Sequence, residues 1–178
     1  MKNEIRLNTQ GKITERDNYV IIDDCLDKDY FKFLQEQMMC PDFPWLYQSE
    51  VANEGENKDD DFYFIHRIYE NNNPVSTFWE PCEKLLQDLD VKALLRVRVL
   101  LFVNQGKMII HDDHVDYPFS HKTALLYVNS NNGSTGFEDG SRVDSVENRV
   151  VLFDGSKPHN SSTCTDQKVR LVFSVNYF

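Results

Sequence analysis

The chain has 178 residues, which at about 100 to 200 residues per domain corresponds to a single domain. A composition of 40% hydrophobic, 27% charged and 12% aromatic residues excludes collagen-like, coiled-coil and low-complexity proteins. Because 29 Asp and Glu outnumber 19 Lys and Arg, the formal charge of −10 argues against nucleic acids and anionic membranes as partners. No apolar run approaches the roughly 20 residues of a membrane span, and no signal peptide is evident, so we expect a soluble, cytoplasmic protein.

The first part of the chain, residues 1–95, reads as a mixed strand and helix support region. Residues 19–23 (YVIID) predict a strand, and Asp27 is expected to cap the helix that follows, because its carboxylate can accept N–H groups of the first turn. A second helix is predicted in TFWEPCEKLLQDLD, with Ser76 as its cap. The acidic segment 50–61 fits either a plain solvated loop or a lid over a site.

The second part, residues 96–178, reads as antiparallel strands. Apolar or alternating runs are separated by Asn-Gly and Asp-Gly pairs, which are tight-turn signals and argue against βαβ units. The runs are ALLRVRVLLFV, KMII, TALLYVN, RVVLFD and KVRLVFSVNYF, with shorter candidates at STGFE, RVDSV and PHNSS. About eight strands in this length predict a small double-sheet jelly roll or a barrel closed on itself, with the two helices packed on one outer face. The expected fold class is therefore α+β, mainly β.

Histidines cluster in the segment IIHDDHVDYPFSH. In an extended strand, side chains two residues apart share a face, so His114 and Asp116 can bind one cation while Val115 packs on the other side. A third ligand has to come from a distant segment, and His159 in SKPHNSS is the candidate. Two imidazoles and one carboxylate on one side of a metal form the facial arrangement of non-haem Fe(II) oxygenases.

The C-terminal run KVRLVFSVNYF places Arg170 and Ser174 on the same face of a strand otherwise too apolar for solvent. An arginine inside a roll needs an anionic partner, because an unpaired buried charge costs several kcal/mol. Taken alone, Arg170 most simply pairs with one of the 29 acidic residues. Together with the histidines, it predicts a bound carboxylate, which a guanidinium holds through two parallel hydrogen bonds. Tyr127, taken alone, predicts ordinary core packing.

Four separated segments, HVD, ALLYVN, FDGSKPH and RLVFSVNYF, resemble in this order the 2-oxoglutarate- and Fe(II)-dependent dioxygenases. The likeness is strongest to the prolyl 4-hydroxylase-like branch, whose fold is a double-stranded β-helix, and it covers residues 96–178. It implies one oxygenase domain over residues 1–178, with the metal site in the second part. By this resemblance the catalytic iron ligands are His114, Asp116 and His159. The resemblance also implies that Arg170 holds the distal carboxylate of 2-oxoglutarate, with Tyr127 and Ser174 assisting.

The activity that the resemblance implies is oxidative decarboxylation of 2-oxoglutarate to succinate and CO2, coupled to hydroxylation of a substrate C–H bond. The cofactors implied are Fe(II), 2-oxoglutarate and O2, with ascorbate as a reductant. The branch suggests a prolyl residue in a protein or peptide as substrate, but free amino acids, other peptidyl side chains and small metabolites stay open, because a fold does not fix the substrate. The acidic composition disfavours nucleic-acid substrates. The compact form also resembles versions encoded by marine phages.

The segment HDDHVD contains a second, overlapping HxD pattern, formed by His111 and Asp113. We favour His114 and Asp116 because their spacer is an apolar valine and because they precede the TALLYVN strand at the distance seen in the resembled family. His111 and Asp113 are then expected to surround the site or to face solvent.

Two other classes of protein fit parts of the pattern. A cupin-type metalloenzyme that does not use 2-oxoglutarate shares the roll and the ligands, but it does not need an inward-facing Arg170. A noncatalytic jelly-roll binding module explains the strands, but it does not explain two histidines, an aspartate and an interior arginine together.

Overall fold

The computed structural model describes residue 9, residues 11–52 and residues 60–178. Most of the predicted lid falls on residues 53–59, outside the described residues. Within the described ranges the helices are α1 (Lys28–Met38) and α2 (Trp79–Asp88). The strands are β1 (Lys12–Glu15), β2 (Tyr19–Asp23), β3 (Leu46–Gln48), β4 (Tyr63–Glu70), β5 (Asn73–Pro74), β6 (Leu94–Val103), β7 (Lys122–Tyr127), β8 (Ser134–Phe137), β9 (Arg142–Asp144), β10 (Arg149–Asp154), β11 (His159–Ser161) and β12 (Val169–Tyr177).

The strands form a large and a small antiparallel sheet. In the nine-stranded sheet the order is β1-β2-β10-β7-β12-β6-β4-β3, with β5 paired to β4, and in the three-stranded sheet it is β11-β8-β9. Neighbours in the large sheet are mostly distant in sequence, as in a roll that winds back on itself. This is the mainly β architecture with two helices that the sequence predicts.

Strand β12 lies near the middle of the large sheet and separates two apolar layers. Leu171, Phe173 and Val175 pack in one core with the buried faces of α1 and α2. The opposite face contributes Val172 to a second core with Phe137 of β8 and Val143 of β9. Because strand side chains alternate between faces, the even-numbered residues of β12 point between the two sheets. The predicted alternation is confirmed, and so is the packing of both helices on one face.

The predicted cap of α1 is confirmed, whereas that of α2 is wrong. Asp27 Oδ1 accepts the backbone N–H groups of Asp29 and Tyr30, each at 3.1 Å. Helix α2 begins at Trp79, so its N-cap is Phe78, which has no side-chain cap. Ser76 lies two residues before this N-cap, and its hydroxyl accepts the backbone N–H of Phe78 at 3.0 Å.

One predicted strand, KMII at residues 107–110, is also wrong. Gly106 has a φ of +77° and turns the chain after β6. The N–H of Ile109 then donates to the Thr163 hydroxyl at 2.9 Å rather than to a strand carbonyl. Only an isolated bridge between Ile110 and Ser162 remains. No helix in the described ranges has the length and hydropathy of a transmembrane span.

Candidate active site

His114, Asp116 and His159 come together at the edge of the cavity between the two sheets. One potential ligand atom from each lies within 4.8 Å of the other two. His159 is the first residue of β11, while the other two lie in the irregular segment between β6 and β7. The structure therefore brings together the three residues predicted to bind iron.

Backbone hydrogen bonds place these side chains. His114 N–H donates to the His159 carbonyl at 2.9 Å, and His159 N–H donates to the His114 carbonyl at 3.0 Å, which forms an isolated antiparallel bridge. Asp116 N–H donates to the Gly155 carbonyl at 2.9 Å. The HVD segment is thus held by a reciprocal pair of bonds with His159 and by one bond to Gly155, rather than inside a regular strand.

The histidine nitrogens fit a bound cation. Nδ1 of His159 lies 2.9 Å from the Lys157 carbonyl, so it carries the proton and leaves the lone pair on Nε2. This Nε2 lies 3.8 Å from Asp116 Oδ2. The two rings lie with their centroids 4.5 Å apart, and Nδ1 of His114 is buried with no hydrogen-bond partner among the described residues. Two imidazoles and a carboxylate gathered this closely, with a lone pair on His159 Nε2, suit a cation bound between them.

The Asp116 carboxylate is held in a fixed orientation by three donors. Oδ1 accepts from Arg96 Nη2 at 2.7 Å, and Oδ2 accepts from Thr123 Oγ1 at 3.0 Å and Asn176 Nδ2 at 2.8 Å. A carboxylate has about four acceptor positions, so one remains for a metal. Arg96 also donates from Nε to Asn176 Oδ1 at 3.1 Å, which ties the donors together.

Charge and burial keep the potential ligands in their binding forms. Burial lowers the pKa of His114 to about 4, with the neighbouring His159 acting in the same direction. Burial alone would raise the pKa of Asp116, but His159, Arg96 and Arg98 outweigh it and hold that pKa below its usual value. A neutral imidazole and an ionised carboxylate at neutral pH are the forms that bind metals.

The alternative pair, His111 and Asp113, lies apart from this cluster. His111 is buried, stacks on Phe102 at 5.3 Å and hydrogen-bonds the Ser161 hydroxyl at 2.8 Å through Nδ1. Asp113 is exposed and accepts from Asn160 Nδ2 at 2.6 Å. Neither is part of the three-residue ligand group.

Arg170 lies deep in the same cavity and is 1% exposed. Its Nε donates to Ser145 Oγ at 2.7 Å, Nη1 to the Ser162 carbonyl at 3.3 Å and Nη2 to Thr135 Oγ1 at 3.1 Å. None of the ion pairs between described residues includes Arg170. A buried guanidinium surrounded by neutral acceptors leaves its charge available to a ligand.

Gly133 makes room for the stem of Arg170. A Cβ atom added at Gly133 would lie 2.6 Å from Arg170 Cδ and 2.7 Å from the Thr163 carbonyl oxygen. Since real Cβ atoms do not approach other atoms so closely, any other residue at position 133 would displace the arginine. The tight turn predicted at Asn132-Gly133 is wrong, since Gly133 lies in an irregular segment without a positive φ, and the glycine instead shapes the cavity.

Ser174 lines the cavity as predicted, whereas Tyr127 lies behind it. The Tyr127 hydroxyl donates to Thr135 Oγ1 at 2.9 Å, and its ring faces the guanidinium of Arg170 at 5.4 Å. Thr135 lines the cavity. Tyr127 thus contacts Arg170 directly but reaches the cavity through the Thr135 hydroxyl.

Several polar residues of the site were not predicted from the sequence, among them Arg96, Arg98, Thr123 and Thr135. The two arginines could have been predicted from the alternation of side chains along β6, because it places them on the same face as Leu100 and Phe102. The role of the two threonines could not be predicted in this way, since threonine is common in buried strands without any function in a site.

Comparison with solved structures identifies the fold. A prolyl-4-hydroxylase from Pseudomonas putida matches with a TM-score of 0.60 at 16% identity, over 90% of this chain and 91% of that chain. The α-ketoglutarate-dependent non-heme epimerase SnoN from nogalamycin biosynthesis matches with a TM-score of 0.60 at 14% identity, over 92% of this chain and 79% of that chain. A Burkholderia pseudomallei oxidoreductase of the 2OG-Fe(II) oxygenase family matches with a TM-score of 0.61 at 10% identity, over 90% and 85%.

The predicted double-stranded β-helix of the 2-oxoglutarate- and Fe(II)-dependent oxygenases is confirmed by these matches. No protein-family model matches the sequence, and no curated protein matches it. At such low identity the likeness establishes the fold, and the reaction has to be argued from the site.

Proposed function

We propose that the chain is a non-haem Fe(II) dioxygenase that couples oxidative decarboxylation of 2-oxoglutarate to hydroxylation of a C–H bond. The observation that carries this proposal is Arg170, a buried guanidinium without a carboxylate partner among the described residues, in one cavity with His114, Asp116 and His159. The oxygenase domain proposed extends over residues 1–178.

The ligand set proposed for Fe(II) is His114, Asp116 and His159. Two nitrogens and one oxygen form the facial set that leaves open coordination positions. When bound, Fe(II) supplies the redox chemistry with O2 and 2-oxoglutarate. The protein's own part is to orient the ligands, and the hydrogen bonds of His159 to Lys157 and of Asp116 to Arg96 support this role.

Arg170 is proposed to hold the distal carboxylate of 2-oxoglutarate. A guanidinium has five N–H donors, and three of them are used by Ser145, Ser162 and Thr135. One N–H on each terminal nitrogen is left, which is the pair that a carboxylate accepts side by side. Ser174 contributes a hydroxyl to the same cavity. Tyr127 is proposed to position Thr135 and Arg170 rather than to contact the cosubstrate.

Apolar side chains line much of the same cavity. They include Leu100, Phe102, Leu125 and Val172. In such a low-dielectric site each charge–charge interaction is stronger than in water. The arrangement therefore favours a small dicarboxylic acid with one end at the ligand group and the other at the guanidinium.

The substrate proposed first is a prolyl residue in a protein or peptide, by analogy with the Pseudomonas putida prolyl-4-hydroxylase. The SnoN epimerase has a similar fold, so we also propose small molecules as a second substrate class. Ascorbate is proposed as a reductant in turnover.

The experiment that tests the proposal is succinate formation with Fe(II), ascorbate and 2-oxoglutarate over a panel of proline-containing peptides and free amino acids. We expect succinate from the wild-type protein and at most background from the Asp116→Ala variant, with His111→Ala as the matched control that keeps activity. Metal binding without 2-oxoglutarate turnover would instead favour a cupin-type metalloenzyme. Binding of neither would favour a noncatalytic module.

A further inference from the structure

A second arginine, Arg98, lies at the metal-ligand end of the cavity. In the pairing of β6 with β12, Arg98 is opposite Ser174, and the next pair on the same face is Arg96 opposite Asn176, which hold Asp116. Arg98 lines the cavity together with His114 and Asp116. It therefore lies beside the proposed metal site.

Arg98 differs from the neighbouring arginines because it forms no ion pair with a described carboxylate, although its charge acts on Asp116 from a distance. Arg96 binds Asp116, and Arg67, opposite Arg98 on β4, pairs with Glu70 at 3.5 Å. The guanidinium of Arg98 forms no hydrogen bond or ion pair with a described residue, and its Nε is buried without a partner. Arg98 as a whole is half-buried, and a partly desolvated guanidinium is costly unless an anion compensates its charge.

The position of Arg98 separates it from the proposed cosubstrate anchor. Arg170 is opposite Phe102, and Arg98 lies four residues back along β6, which is about 13 Å at 3.3 Å per residue. The two guanidinium groups thus belong to opposite ends of the cavity. If Arg170 takes the distal carboxylate of 2-oxoglutarate, Arg98 is left to bind a different anion near the reacting atoms.

We propose that Arg98 binds a carboxylate group of the primary substrate, an inference that rests on the proposed oxygenase function. Arg96 forms the ion pair with Asp116, so a monoanion would match the single charge of Arg98, whereas a phosphate group brings a charge of about −2. A planar carboxylate also matches the fork of one guanidinium. The substrate class is therefore a free carboxylic acid, of which α-amino acids are the simplest, or the C-terminal residue of a peptide, rather than an internal residue.

The test compares carboxylates with their uncharged amides. Protein loaded with Mn(II) and 2-oxoglutarate is titrated by calorimetry without O2. The titrants are free amino acids, beginning with L-proline, and a peptide that ends in proline. The carboxamide of each titrant is measured in parallel. The same titrations use Arg98→Gln, Arg98→Lys and the control Arg67→Gln, which removes one positive charge from the neighbouring strand. Binding of Mn(II) and 2-oxoglutarate by each variant shows that the site is intact.

We expect at least one carboxylate of the panel to bind, its carboxamide to bind roughly 10- to 100-fold more weakly, and Arg98→Gln to lose the same factor. Arg98→Lys should recover part of the affinity, and Arg67→Gln should resemble the wild type. Three outcomes would each overturn this inference but not the proposed function. They are equal affinity for acid and amide, no binding of any carboxylate in the panel, and an Arg98→Gln variant that loses affinity for 2-oxoglutarate instead of the substrate. Failure of the wild type to bind 2-oxoglutarate with Mn(II) would overturn the proposed function as well.

Discussion

His114 and His159, 45 positions apart in the sequence, each donate a backbone N–H to the carbonyl of the other, at 2.9 and 3.0 Å. This reciprocal bridge sets the distance between the two imidazoles before any metal is bound. Since the orienting bonds of Asp116 and His159 are also made within the protein, the ligand group is largely preorganised.

Removal of a ligand should abolish metal binding. Asp116→Ala and His159→Ala each take away one of three donors, so Mn(II) affinity measured by calorimetry should fall by more than the roughly 10- to 100-fold typical of outer-shell changes. His111→Ala should keep the wild-type affinity, because His111 lies outside the ligand group. Loss of binding in His111→Ala with retention in Asp116→Ala would favour the other HxD pair.

Loss of Arg96 should weaken metal binding in a pH-dependent way. Arg96→Gln removes the cation that pairs with Asp116 at 2.7 Å, so the pKa of the carboxyl should rise. Because only the ionised carboxylate binds the metal, the pH below which Mn(II) binding is lost should move upward, and the affinity at neutral pH should fall by about 10-fold or more. Arg67→Gln serves as the charge-matched control. An unchanged pH profile in Arg96→Gln would contradict this role.

Loss of Arg170 should affect the cosubstrate and not the metal. Arg170→Gln removes a side-by-side pair of charged hydrogen bonds, so the Kd for 2-oxoglutarate in the presence of Mn(II) should rise by about 100-fold. The Mn(II) affinity should be unchanged, which also checks that the variant is folded. Unaltered 2-oxoglutarate binding would remove Arg170 from the cosubstrate site.

Thr135 should matter more than Tyr127 for 2-oxoglutarate binding. Thr135 lines the cavity and accepts from both Arg170 and Tyr127, whereas the tyrosine hydroxyl reaches the cavity only through it. Thr135→Val should therefore raise the 2-oxoglutarate Kd by roughly 10-fold, and Tyr127→Phe by a few-fold at most. The opposite order in calorimetry would mean that Tyr127 contacts the cosubstrate itself.

The metal-free protein should lose stability on mild acidification. Burial and the charge of Arg170 lower the pKa of His111 to about 4 from an ordinary 6.5. Because the unfolded chain then takes up the proton first, stability is constant above pH 6.5 and falls between pH 6.5 and 4, by up to about 3 kcal/mol from this group. Urea unfolding with a chelator present should show a weaker pH dependence in His111→Gln. Identical slopes in the two proteins would contradict the assignment.

Patterns with a strict period allowed much of the fold to be predicted. Alternation in KVRLVFSVNYF correctly placed Arg170 and Ser174 between the sheets, and Asp27 capped its helix as expected. The predictions of a strand at KMII and of a helix cap at Ser76 were wrong, because side-chain hydroxyls there accept backbone N–H groups in place of the regular backbone hydrogen bonds.

The outer parts of the site were less predictable. The three candidate ligands could be chosen from residue type and spacing, whereas the position of Thr135 in the cavity depends on how the small sheet packs over the large one. Arg98 lies in a strand whose alternating pattern was visible in the sequence. That its Nε has no hydrogen-bond partner among the described residues depends on the three-dimensional structure and cannot be read from residue spacing. Cross-strand neighbours decide such roles.

The most direct test of the central claim is the joint binding of metal and 2-oxoglutarate by the wild-type protein. Calorimetric titration of 2-oxoglutarate into protein saturated with Mn(II), without O2, should give one site per chain, with much weaker binding when the metal is omitted. An unsaturable titration in the presence of bound Mn(II), or 2-oxoglutarate binding that does not depend on the metal, would contradict the account.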